Sequence, residues 1–69
     1  MPWIVVMTDR VSRLKLYACT TTEDDPVWSV FKADAHCHPE REMASTEMRV
    51  RQEKGNCLKG WVLHIEEYG

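Results

Sequence analysis

The chain has 69 residues, nine Lys and Arg against eleven Asp and Glu, and a net charge of −2. That length makes residues 1–69 one small domain, which buries only about 60% of its unfolded surface and leaves little material for a deep, water-excluding cleft. With 43% hydrophobic and 29% charged residues the composition is globular, and it lacks the basic excess of a general nucleic-acid binder.

Pro2–Thr8 predicts a first strand, because Ile4, Val5 and Val6 are β-branched and Trp3 adds aromatic bulk. Thr8–Ser12 is polar around Asp9 and Arg10 and predicts a reversal. Arg13–Thr20 then alternates, with Leu14, Leu16 and Ala18 on one face and Lys15, Tyr17 and Cys19 on the other. The two segments are close enough to pair as a hairpin. Thr21–Pro26 has no apolar residue, and Pro26 disfavours helix before it, so the chain breaks there. Val27–Ala35 predicts a third strand, with Val27, Phe31, Ala33 and Ala35 pointing one way and Trp28, Val30, Lys32 and Asp34 the other.

A helix is expected over Pro39–Lys54. Proline suits the first helical position, where its missing N–H would be unpaired anyway. Glu40 and Glu42 complement the positive end of the helix dipole, and Arg49, Arg51 and Lys54 the negative end. Gly55 can take the left-handed conformation that stops a helix. Glu47 and Arg51 are spaced for an i, i+4 pair. Trp61–Tyr68 predicts a last strand. The order β-β-β-α-β describes an α+β fold, a small mainly antiparallel sheet of three to four strands packed against one helix. Its crossover should be right-handed if the last strand runs parallel to the third.

Met43, Thr46 and Val50 form a narrow helical stripe, with Met48 nearer Ala44. The plain reading is a wide, weak apolar face in which both methionines touch the core. The functional reading leaves Met48 or Met43 exposed as an adaptable partner anchor. His36-Cys37-His38 is the most unusual tripeptide, and Cys19, Cys57 and His64 could converge on it. The spacing matches no zinc pattern and there is no Cys-x-x-Cys pair, so no metal and no other cofactor is expected. The plain reading is a polar strand-to-helix junction with Cys37 as a small core residue.

A cysteine nucleophile with a histidine base would need an orienting group and an oxyanion site, and nothing marks either. Glu66 and Glu67, adjacent in a strand, face opposite ways, which is poor geometry for paired acid–base work. No catalytic residue is expected, and no enzyme. The three cysteines are an odd number and form no closed disulfide framework. No apolar run reaches the roughly 18–20 residues of a membrane span, and Trp3–Met7 is too short for a signal-peptide core. These features predict reduced thiols and a cytoplasmic chain.

A short hairpin, the run Trp28-Ser29-Val30-Phe31-Lys32-Ala33, the Glu-rich stretch Glu40–Lys54 and Gly60-Trp61-Val62-Leu63-His64-Ile65 together resemble many small phage-encoded proteins. Some of these are host-takeover factors that bind RNA polymerase, and others are anti-CRISPR proteins. The resemblance implies an inhibitor or adaptor that occludes a host protein or ribonucleoprotein complex stoichiometrically in the bacterial cytoplasm. The residues add their own expectation. The acidic turn Glu23-Asp24-Asp25 beside Trp28, with Met48, could steer and anchor a partner with a basic surface. A second copy of the chain facing Trp28 is the competing occupant. The runner-up function is a nucleic-acid contact through Arg10, Arg13 and Lys15 with Tyr17 or Trp3 as aromatic surface.

Overall fold

The most apolar run of the chain becomes the centre of the sheet. In the computed structural model, which describes residues 2–19, 28–55 and 58–69, β1 (Trp3–Asp9) lies between β2 (Lys15–Ala18) and β4 (Trp61–Glu67). A two-residue β3 (Trp28–Ser29) flanks β2, and the order β3-β2-β1-β4 is antiparallel at every pairing. The helix α1 (Arg41–Glu53) packs over β1 and β4. This is the α+β class and element order expected. Because β4 pairs with β1 and not with β3, the rule for parallel crossovers does not apply.

Ile4, Val5, Val6 and Met7 are all buried, which a non-alternating apolar run requires of a central strand. By register, Trp3, Val5 and Met7 share the helix side with Leu16, Ala18, Trp28, Trp61, Leu63 and Ile65. The core on that side centres on Val5, Ala18 and Ala44, with Trp3, Trp28, Met48, Leu63 and Ile65 against it. All three tryptophans therefore fall on the covered face. Arg41 adds its guanidinium over the Trp3 ring, 5.6 Å from the centroid. On the other face Ile4 and Val6 are fully buried without a helix, flanked by Tyr17 and Lys15 of β2 and His64 and Glu66 of β4. Each such buried aliphatic side chain contributes about 1.5–3 kcal/mol.

The third strand is much shorter than Val27–Ala35. The Ser29 hydroxyl donates to Asp34 Oδ2 at 2.7 Å and accepts from the Phe31 amide at 3.0 Å, which turns the chain into a 3-10 segment at Lys32–Asp34. Val30 and Phe31 are left exposed, and the expected opposition of Trp28 and Phe31 across a strand does not arise. The His36 amide then bonds the Ala18 carbonyl, and His38 exchanges two backbone hydrogen bonds with Trp3. His38 thus continues the pairing of β1 where β2 has ended.

The helix starts at Arg41, with Glu40 as an N-cap that makes no side-chain cap bond, so Pro39 precedes the cap and is not the first helical residue. Gly55 follows the helix with φ of +70°, as the sequence predicts. The stripe facing the sheet is Ala44, Glu47, Met48 and Arg51, not Met43, Thr46 and Val50, which are exposed. Ala44 has the small side chain that lets the helix approach β1. Met48 is packed against the core, so it is not an exposed partner anchor. Cys37 is exposed and not a core residue, while His38 beside it is buried. Among the described residues no helix is long and apolar enough to cross a membrane.

Candidate functional site

Two polar clusters stand out, and their settings are opposite. One is buried under the helix. Glu47 Oε1 accepts from Arg51 Nη2 at 3.0 Å and Nε at 3.1 Å, and Glu47 Oε2 pairs with His38 Nε2. Arg51 Nη2 also donates to the Cys19 carbonyl at 3.4 Å, and the guanidinium lies 4.8 Å from the centroid of the Trp28 ring. The His36 ring meets His38 edge-on at 4.7 Å. Arg51 is only 4% exposed, and its Nη1 is buried without a hydrogen-bond partner. Helix spacing brings Glu47 and Arg51 together, as expected from sequence; the third member, His38, comes from the bridge to Trp3. This cluster ties α1 to the sheet and lies out of reach of a substrate. It also absorbs Trp28, which serves as a half-buried platform for Arg51 and not as an open interface anchor.

The second cluster is the connection Arg10–Leu14 between β1 and β2. Asp9 organises it: Oδ2 accepts from the Ser12 hydroxyl at 2.7 Å and Oδ1 from the Val11 amide at 3.2 Å. Ser12 Oγ in turn accepts from the Leu14 amide at 3.3 Å, and the Asp9 carbonyl accepts from the Arg13 amide at 3.0 Å. The Ser12 hydroxyl first, and the Val11 amide second, hold the Asp9 carboxyl below its ordinary pKa. With Asp9 occupied inside the turn, no acidic group among the described residues pairs with Arg10 or Arg13. Arg13 has φ of +66°, the left-handed region that disfavours side chains. Val11 is 92% and Leu14 64% exposed. Thr8, Asp9, Arg10, Arg13 and Val62 line an open depression of about 280 Å³ at this end of the sheet. Thr8 Oγ1 is buried there without a partner.

The depressed Asp9 pKa fixes the sign of a pH effect. Its contribution to stability is complete above the unfolded carboxyl value of about 3.9 and disappears as pH falls through the lower folded value. Asp9→Asn is therefore expected to melt below the parent at pH 7, with the difference shrinking as pH falls below about 3.9. Thermal melts across that range check this, and a constant difference at every pH would exclude it.

Between the turn and the far end, the helix-free face carries Lys15, Tyr17, His64 and Glu66. Glu66 Oε2 accepts from Lys15 Nζ at 2.9 Å and meets His64 Nε2 at 2.5 Å. Burial pushes the Glu66 carboxyl up, but hydrogen bonds from His64 and Lys15 outweigh it and hold the pKa down. The Glu66 hydrogen bond raises Lys15.

Of the basic and aromatic set read from sequence, Arg10 and Arg13 come together at the depression. Lys15 is paired with Glu66, and Tyr17 is half-buried on the same face. Glu23, Asp24 and Asp25 lie outside the described residues, as does Cys57. Among the described residues no three His, Cys, Asp or Glu side chains are grouped to hold a metal ion. Sequence reading placed Leu14 in an alternating strand and passed over Val11. The missed signal is Asp9-x-x-Ser12, a pair that closes a local turn and leaves the residues between and after it outside the sheet.

No protein-family model, curated protein or solved structure matches the chain.

Proposed function

We propose that this is a stoichiometric binding protein, an inhibitor or adaptor that occludes a surface of another protein with its β1–β2 turn. The observation that carries the reading is an ordered turn whose apolar residues face outward. The backbone amides of Val11 and Leu14 are held by Asp9 and Ser12, and the side chains are exposed, Val11 almost entirely and Leu14 by about two thirds. Exposed Val62 and Leu58 lie at the same end of the sheet, where β1 finishes and β4 begins. Contiguous exposed apolar residues mark interaction sites, and an ordered loop loses little entropy on docking. The phage-type host-complex inhibitors that the sequence resembles would work in this way. The binding surface is thus moved from Trp28 and Met48, which the core employs, to the turn.

The double variant Val11→Ser, Leu14→Ser tests it. Both side chains are exposed, so stability should change by less than about 0.5 kcal/mol. Burial of each against a partner contributes about 1.5 kcal/mol or more, so binding should weaken roughly a hundredfold. The measurement is affinity capture from host lysate with the retained protein identified and its stoichiometry measured, parent beside variant. One protein held at fixed stoichiometry by the parent and lost by the variant supports the reading. Equal retention by both, or a dimer of this chain in light scattering that the variant dissolves, overturns it.

A further inference from the structure

The same turn also indicates what kind of partner surface it meets. We infer that the depression between Arg10 and Arg13 receives a carboxylate side chain of the bound protein, so that the recognised surface is acidic with an apolar margin; this rests on the protein-binding reading above. Arg10 and Arg13 both line one depression, and no acidic group among the described residues forms an ion pair with either. The nearest carboxylate, Asp9, is turned into its own loop by Ser12 and Val11. Guanidinium forks match carboxylates and form charge-assisted hydrogen bonds with them.

Three observations favour a protein carboxylate over a nucleic-acid phosphate. The depression, at about 280 Å³, has the scale of a side chain and not of a run of nucleotides. Exposed aliphatic residues lie beside it, Val62 in its lining and Val11 and Leu14 in the adjoining turn, and the apolar side chains of a protein surface bury them more fully than a sugar–phosphate chain does. Finally, the whole chain is net negative, so a long polyanion meets more overall repulsion than a single carboxylate does.

The test is a titration of the whole protein, followed by NMR of the arginine Nε–H and backbone amide signals. The probes are glutarate, potassium chloride at matched ionic strength, and a short oligothymidylate. The expected result is saturable shifts with glutarate at Arg10, Arg13, Thr8 and Val62, and at least tenfold weaker binding in Arg10→Gln, Arg13→Gln. The arginine double variant should also reduce retention of the captured partner, most strongly at low salt. Shifts no larger than those with chloride overturn the inference. So does oligothymidylate binding that is tighter than glutarate and spreads to Lys15, Tyr17 and His64, which selects the nucleic-acid reading. If glutarate fails while the turn variant still abolishes capture, the protein interface stands and the acidic pocket falls. If glutarate binds and capture ignores the turn, the protein-binding reading falls and the inferred partner with it.

Discussion

Glu47→Ala is expected to bring the domain close to unfolding, although Glu47 lies on the helix surface facing the sheet and is not itself an apolar core residue. Its carboxylate is the only acidic group among the described residues that pairs with Arg51, whose side chain is 4% exposed. Removing it leaves a guanidinium under α1 with only the Cys19 carbonyl and the Trp28 ring, and leaves His38 without its acceptor. Breaking a buried pair from one side costs about 3–5 kcal/mol. A domain of this length has a total stability of roughly 3–10 kcal/mol at 0.05–0.15 kcal/mol per residue.

The melting temperature should therefore fall by more than about 12 °C. Removing both partners offsets most of that cost. Glu47→Leu, Arg51→Met deletes the desolvation of both charges and the unpartnered Arg51 Nη1, and replaces them with apolar volume against Val5, Ala18 and Ala44. His38 still loses its acceptor in that variant, so it should recover most, but not all, of the loss seen in Glu47→Ala. Urea denaturation of the parent, Glu47→Leu, Arg51→Met and the double variant closes the cycle, with Glu47→Ala measured beside them. A loss under about 1 kcal/mol in Glu47→Ala would mean that water reaches Arg51 and that the cluster does not hold the helix.

The contrast between legible and illegible parts follows the range of the forces involved. Pro2–Thr8 shows as a strand because Ile4, Val5 and Val6 are β-branched and Trp3 is aromatic, a local property, whereas its place between β2 and β4 comes from pairings distant in sequence. Gly55 as a helix stop and the pair Glu47–Arg51 are local too. The helix face is different. The sequence predicts a wide, weak face with both methionines on the core; Met48 does pack there, but Met43 with Thr46 and Val50 stays exposed, because the sheet takes the stripe of Ala44, Met48 and the buried ion cluster. That choice depends on His38 reaching the sheet through Trp3, a contact spanning 35 positions that no periodicity encodes.

The third strand fails for a related reason. Val27–Ala35 has strand composition, but Ser29 finds Asp34 and the Phe31 amide first, and three short-range hydrogen-bonding groups outcompete a ladder with only a two-residue partner segment. At the turn, polar residues around Asp9 announce a reversal, while the outward placement of Val11 and Leu14 depends on the full set of Asp9 and Ser12 contacts.

Arg13→Gly is expected to make the protein more stable and worse at binding. Arg13 has φ of +66° and is the one non-glycine residue with a positive φ among those described. The left-handed backbone costs a side-chain-bearing residue about 1–2 kcal/mol, whereas glycine adopts it freely. Glycine gives back about 0.5–1 kcal/mol through the greater entropy of the unfolded chain, so the net gain is about 0.5–1 kcal/mol. That corresponds to a rise of roughly 2–8 °C in melting temperature.

The backbone hydrogen bond from the Arg13 amide to the Asp9 carbonyl survives the change, so the turn itself is kept. What disappears is one of the two guanidiniums at the depression, a charge-assisted contact of about 1.5–3 kcal/mol, or a tenfold to hundredfold weaker complex. Arg13→Lys separates the two effects. It keeps the strained backbone and the charge but loses the planar fork, so stability should stay at the parent value while binding of glutarate and of the captured partner weakens. A glycine variant that is less stable than the parent would show that the Arg13 side chain supports the turn. One that binds as tightly as the parent would separate the strained residue from the binding site.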